Sequence, residues 1–117
     1  MKIQAIESHE QTPVTVAGAK EAKMRMLIGP KEGAPNFHMR HFEVGRGGNT
    51  PDHAHDYEHG ILVLKGEGVA KTVDGDRPFK AGDVMYIPPN EHHSLVNTSA
   101  GPCEFICLIP APKDRST

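Results

Sequence analysis

No apolar run in this 117-residue chain approaches the roughly 20 residues that a membrane-spanning helix needs. The N-terminus, Met1-Lys2-Ile3-Gln4, also lacks the apolar stretch of a signal peptide. Charge of one sign is not in excess: 13 Lys and Arg against 15 Asp and Glu leave a formal charge of −2, without the basic surface that nucleic acid would require. These absences predict a cytoplasmic protein with neither membrane nor nucleic-acid partners. Cysteine is scarce. Cys103 and Cys107 stand four apart in a segment that reads as a strand, and at about 3.3 Å per residue their Cα atoms would lie roughly 13 Å apart, beyond disulfide reach. They are expected to be free thiols, which suits a reducing compartment. Helical spacing of apolar residues is missing, as are internal repeats, low-complexity tracts and linkers. At this length, with 37% hydrophobic residues, the chain is expected to form one domain (1–117) around one compact core.

Turn formers are plentiful. Twelve Gly and ten Pro punctuate short β-like runs. Val14-Thr15-Val16 is the best strand candidate in the polar first stretch, followed by Met24 to Ile28 and by Phe37 to Val44, closed by Gly45-Arg46-Gly47-Gly48. His53 to His55 opens a third region that continues through the apolar Gly60 to Leu64 and ends at Gly66. Gly68 to Val73 is expected to pair, across a tight Asp74-Gly75 turn, with the segment that follows. Val84 to Ile87, Ser94 to Asn97 and Glu104 to Ile109 complete the set. Short strands with turn signals between them predict an all-β sandwich or barrel.

Within that pattern, four histidines are conspicuous: His53, His55 and His59, then His93. The first three share parity, and equal-parity side chains of a strand point to one face. A single histidine on an apolar face is ordinarily a packed or solvated residue. Three on one face, with a fourth to follow, are hard to explain by packing, because clustering imidazoles is costly unless something holds the nitrogens.

The residues around these histidines resemble the two motifs of the cupin superfamily. Gly47, five residues, His53-Ala54-His55, three residues, His59, six residues and Gly66 look like the first motif; Gly82, five residues, Pro88, then Asn90, His93 and Asn97 look like the second. The resemblance implies a double-stranded jelly-roll, with an N-terminal strand region over about 1–30, a barrel over about 35–110 and a short polar tail at 111–117. The chain departs from the usual motifs in having His59 in place of glutamate and Asn90 in place of glycine. Asn tolerates the left-handed backbone that a glycine would take. With His59 present, the chain is similar to the small single-domain cupins with four histidines. That likeness implies His53, His55, His59 and His93 as ligands of one divalent metal, with manganese first and iron second. Nickel, copper and zinc also suit imidazole. Tetrahedral zinc held by four ligands would keep no open position and would be structural.

Two neighbours compete with these ligands. Glu58 could supply a carboxylate in place of His59 or beside it, but its parity is opposite, so only a bulge would turn it inward. His92 and His93 cannot both face inward on an extended strand, and the motif spacing selects His93. Elsewhere, His38, Arg40, Phe42 and Val44 share one strand face and Phe37, Met39, His41 and Glu43 the other; we take the first set as interior. On that assignment Phe42 and Val44 are core and Arg40 covers the rim, or else Arg40 and His38 reach a pocket and bind an anionic or carbonyl substrate. Phe105 and Cys107 share parity and would line the same cavity. Cys107 then reads either as a small buried hydrophobe or as a thiol exposed to oxidation by a redox metal.

Four neutral imidazoles leave a divalent ion its full charge, which lowers the pKa of bound water and favours anionic ligands. Cupin oxygenases suggest a metal-dependent oxidoreductase, dioxygenase-like, that uses dioxygen or peroxide to cleave a carbon–carbon bond of a small organic substrate. A non-redox isomerase or lyase is the second reading, and a small-molecule-binding module without catalysis the third. A homodimer is expected, since open jelly-rolls leave edge strands in need of cover. Protonation of the ligands predicts metal release below about pH 6.

Overall fold

The computed structural model describes residues 1–112, so most of the tail expected at 111–117 lies outside the described residues. Nine strands are formed: β1 Gln11–Pro13, β2 Lys20–Ile28, β3 Phe37–Asn49, β4 His59–Lys65, β5 Glu67–Thr72, β6 Gly75–Lys80, β7 Val84–Ile87, β8 His93–Asn97 and β9 Cys103–Pro110. The described helical elements are two three-residue 3₁₀ turns, Ile6–Ser8 and Pro30–Glu32. Every strand pairing is antiparallel, and the order β6-β5-β8-β3-β9-β4-β7, with β2 and β1 added through β3, makes one curled sheet. The all-β jelly-roll expectation therefore holds. None of the described helices is long and apolar enough to cross a membrane.

Cross-strand register decides what the curled sheet encloses. Phe42 pairs with Phe105 and Val44 with Cys103 across β3 and β9, while Ile61 pairs with Cys107 and Val63 with Phe105 across β4 and β9. These side chains belong to one buried cluster together with Ile87, Leu95 and Phe79. Burying them removes apolar surface from water at about 25 cal/mol per Å², the main favourable contribution to the fold. The set of β3 residues containing Arg40, Phe42 and Val44 thus faces inward, as the parity reading preferred. His41, on the other face, is also buried (1% exposed), and its Nε2 meets Glu104 Oε1 at 2.9 Å.

Three elements depart from the sequence-based expectation. The first strand lies at Gln11–Pro13, before the expected Val14–Val16; Val14 keeps one backbone bond, its N–H donating to Ala22 O at 2.9 Å. β3 does not stop at the glycine cluster but runs to Asn49. Gly47 takes a left-handed φ of 74°, and the β2–β3 register shifts between Lys20 and Ala22 around Glu21 (φ 54°), so the ladder bulges and bends there. His53–His55 is not a strand: His53 makes a single antiparallel bridge to His93. By contrast, the Asp74-Gly75 hairpin forms as expected, with Thr72 opposite Gly75. Asn90 adopts the left-handed φ of 66° anticipated for it.

Asn97 ties these pieces together from a buried position. Its side-chain N–H groups donate to Val44 O (2.9 Å), Gly45 O (3.0 Å) and Gly101 O (2.9 Å), and its Oδ1 accepts from Ser99 N–H (2.8 Å). Replacement by Ala leaves three carbonyls and an N–H short of a partner. We expect Asn97→Ala to cost about 2–4 kcal/mol in urea unfolding; a loss within error of zero would mean that this node carries no weight.

Candidate functional site

A cavity of about 210 Å³ opens inside the curled sheet and is lined by all four histidines singled out in the sequence. Their elements reach it by different routes. His59 is the first residue of β4 and His93 the first of β8, so both are set by sheet register. His53 is held by a pair of backbone bonds: its N–H donates to His93 O at 3.1 Å, and His93 N–H donates to His53 O at 2.9 Å. Just upstream, Thr50 N–H donates to Leu95 O (2.9 Å), Leu95 N–H donates to Thr50 Oγ1 (2.8 Å) and Ser94 Oγ donates to Thr50 O (2.8 Å). Asn90 N–H donates to His55 O, attaching the next turn of the loop. Although residues 54–58 form no ladder, burial still alternates along them. Residues 53, 55, 57 and 59 are partly or fully buried, whereas 52, 54, 56 and 58 are exposed.

The imidazoles form a closed group. Ring centroids are 4.3 Å apart for His53–His55, 4.8 Å for His53–His93, 5.1 Å for His59–His93 and 5.3 Å for His55–His59, with His53–His59 at 6.4 Å. The rings are gathered, but their donor nitrogens are not yet focused: among the described residues, no three His, Cys, Asp or Glu side chains are posed to hold a metal ion. His93 Nδ1 donates to Glu91 O at 2.9 Å; a carbonyl only accepts, so the ring's Nε2 carries the lone pair when the ring is neutral. His59 Nδ1 lies 3.3 Å from Cys107 Sγ, and His59 Nε2 is buried without a hydrogen-bond partner.

Burial, then the charges of the neighbouring rings and of Arg40, disfavours protonation of His53 and His59. The pKa of His53 falls to about 4 and that of His59 to about 3, with burial the largest cause in both. The Cys107 thiol is pushed up by burial, an effect partly offset by Arg40. Arg40 Nη2 donates to Cys107 Sγ at 3.3 Å, its guanidinium carbon lies 5.0 Å from the Phe42 ring centroid, and Phe42 stacks on Phe105 at 5.3 Å. At ordinary pH the chamber therefore holds neutral imidazoles at His53 and His59 and a protonated Cys107 thiol beside the Arg40 cation.

Most residues expected at the pocket are there: Arg40, Phe42, Phe105 and Cys107 all line it. His38 does not. It is buried, but it sits one strand repeat before Arg40, opposite Ile109, and stays out of the cavity wall. Glu58 is exposed and accepts a hydrogen bond from Tyr86 Oη at 2.9 Å, so no bulge turns it inward. His92 also faces out, within 3.3 Å of Asp52. Sequence reasoning missed Tyr57, whose ring stacks on His55 at 4.7 Å and 8°, and also Val14 and Val16, which line the cavity from the N-terminal segment. Parity alone could have found Tyr57, since it lies between His55 and His59 on the same alternation.

Comparison with known proteins agrees with this architecture. The Cupin domain model (Cupin_2) matches residues 40–109. The oxalate-binding protein of Thermotoga maritima is 32% identical over 111 residues, covering 89% of this chain and 91% of the relative. The 1-methylthio-D-xylulose 5-phosphate methylsulfurylase of Rhodospirillum rubrum is 31% identical over 80 residues, 66% of this chain and 49% of the relative. The chain thus spans about half the length of several curated relatives, archaeal glucose-6-phosphate isomerases among them. Among solved structures, the polyketide cyclase RemF from Streptomyces resistomycificus superposes with a TM-score of 0.88 at 33% identity, covering 94% of this chain and 79% of that one. The match to the domain model spans β4 to β8 whole and most of β3 and β9, and so includes β3, β4, β8 and β9, which line the chamber. The chain accordingly belongs to the Cupin_2 family of cupin domains.

Proposed function

We propose that this protein is a metal-dependent enzyme of the four-histidine cupin type that activates the carbonyl group of a small organic substrate, in ring closure or isomerisation, without an oxidant. The observation that carries the metal assignment is His59 Nε2, a buried imidazole nitrogen with no partner inside a group of four gathered rings, and burial disfavours protonation of that ring. Such a donor set fits a divalent ion of the manganese or iron kind, once small ring rotations focus the nitrogens. When bound, the metal would supply Lewis acidity, polarising a carbonyl oxygen and lowering the pKa of a bound water.

The chain's own residues supply the rest. Glu91 O fixes the His93 tautomer that presents Nε2, and Cys107 Sγ can accept the Nδ1 proton of His59 so that its Nε2 does the same. Phe42 and Phe105 form a flat apolar wall for the body of a substrate, and the stacked Tyr57 restrains the His55 ring. The sequence reading ranks oxidative cleavage first. Two observations favour carbonyl chemistry: the Cys107 thiol touches His59 within the same cavity, where an oxidant-activating centre would oxidise it, and the structurally similar RemF is a polyketide cyclase.

Three outcomes are expected. Protein purified without added metal should carry about one divalent ion per chain by elemental analysis. His59→Gln should weaken binding at least about tenfold, and the quadruple alanine variant should abolish it; unchanged metal content in the quadruple variant would end the assignment. Turnover of enolisable polycarbonyl substrates should proceed equally in air and under strict anaerobiosis, and strict dependence on dioxygen would restore the oxidoreductase.

A further expected outcome concerns pH. With His53 and His59 depressed to about 4 and about 3, protons compete for the folded site at lower pH than for free imidazole, so metal release should fall below the roughly pH 6 that unperturbed histidines predict. The sign for stability follows from linkage. Between about pH 6.5 and 4 the unfolded chain takes up protons that the folded imidazoles refuse, so stability drops as pH falls through that window. Thermal melts of chelator-treated protein from pH 8 to 4 should show this decline, with a shallower slope in His59→Gln. Identical slopes would mean that the ring is not held neutral by the fold.

A further inference from the structure

The guanidinium of Arg40 is the least satisfied charge in the cavity. It donates to the sulfur of Cys107 at 3.3 Å, lies over the ring of Phe42 at 5.0 Å and leaves its Nε buried without an acceptor. A thiol and an aromatic ring are weak company for a half-buried cation, since neither neutralises it. His53 and His59 do not help, because imidazoles offer no negative charge and Arg40 itself is among the causes that disfavour their protonation. A cation kept beside a cavity with its hydrogen-bonding capacity partly unused is a preformed receptor for an anion.

Cys107 sets the scale of that receptor. Its sulfur stands 3.3 Å from Arg40 Nη2 and 3.3 Å from His59 Nδ1, so one small side chain separates the cation from the imidazole group. A ligand that bridges the two has its anionic group only a few bonds from the atom presented to the histidines. The planar fork of a guanidinium matches the two oxygens of a carboxylate, and Phe42, Ile61, Leu95 and Phe105 give the cavity an apolar stretch of wall.

We propose that Arg40 and the histidine cluster form a two-point site for a carbonyl compound carrying a carboxylate a few bonds away, as in a 3-oxo acid, with the guanidinium taking the anionic end. This rests on the reading of the cluster as the carbonyl-activating centre. Arg40 is then a specificity-determining residue: it admits acids, discriminates against their neutral esters, and orients the chain so that the carbonyl faces the rings.

The test is calorimetric titration of the full chain, as purified and after chelation, with acetoacetate, methyl acetoacetate and inorganic phosphate. Acetoacetate should bind at least about tenfold more tightly than its ester, Arg40→Met should bring the two together, and Arg40→Lys should keep part of the preference. Since Met keeps an apolar stem and removes an uncompensated charge, the ligand-free Arg40→Met protein should melt no lower than the wild type. Equal affinity for acid and ester, an unchanged preference in Arg40→Met, tighter binding of phosphate than of acetoacetate, or a much lower melting temperature of ligand-free Arg40→Met would each overturn the inference. Metal analysis of the same samples separates the two readings. An Arg40-dependent acid preference in protein that takes up no metal upholds this site and sinks the metal centre, and full metal content without any preference does the reverse.

Discussion

Two backbone hydrogen bonds, exchanged between His53 and His93, hold the site together. The segment that carries His53 and His55 has no ladder of its own, and without this bridge it would be a surface loop. The bridge is not isolated. Thr50 binds Leu95 and Ser94 through main chain and hydroxyl, Asn90 reaches His55 O, and Asn97 ties the far end of β8 to Val44, Gly45 and Gly101. Buried backbone groups must find partners, and here each one that does so also brings a histidine closer to the others.

The electrostatics of the chamber follow from that closure. Drawing four imidazoles into a small, partly apolar space raises the cost of protonating His53 and His59, through lost hydration first and the charges around them second. The same burial keeps the Cys107 thiol protonated, with the Arg40 guanidinium donating to its sulfur. Cavity, neutral imidazoles and protonated thiol are three consequences of one act of burial.

Many of the strands could be read from the sequence because their signals are local. Glycine, proline and Asp-Gly punctuation mark β4, β5, β6 and β7, and alternation along β3 and β9 identifies the inward Arg40, Phe42, Phe105 and Cys107. Parity also chose correctly between Glu58 and His59 as the inward side chain, even though residues 54–58 are not a strand, because extended backbone alternates with or without a paired neighbour. The failures were those of tertiary context. Glycines that look like a stop at 45–48 bend β3 instead, because β2 offers a bulged partner there. The edge strand β1 formed at Gln11–Pro13 because pairing with β2, and not β-propensity, set its place; Val14 and Val16 were left to close the cavity.

From its residues alone, this chain declares an all-β sandwich or barrel, which the resemblance to cupins narrows to a jelly-roll, together with four histidines at motif spacing and the side of the backbone on which three of them lie. Those properties belong to short stretches, in which side-chain direction is dictated by the covalent geometry of extended chain. The structure alone decided that His59 would meet Cys107, that Cys107 would meet Arg40, that Tyr57 would stack on His55 and that His38 would miss the cavity. Each of these depends on the register between strands distant in sequence, which is set by the pairing of whole ladders and the curl of the sheet.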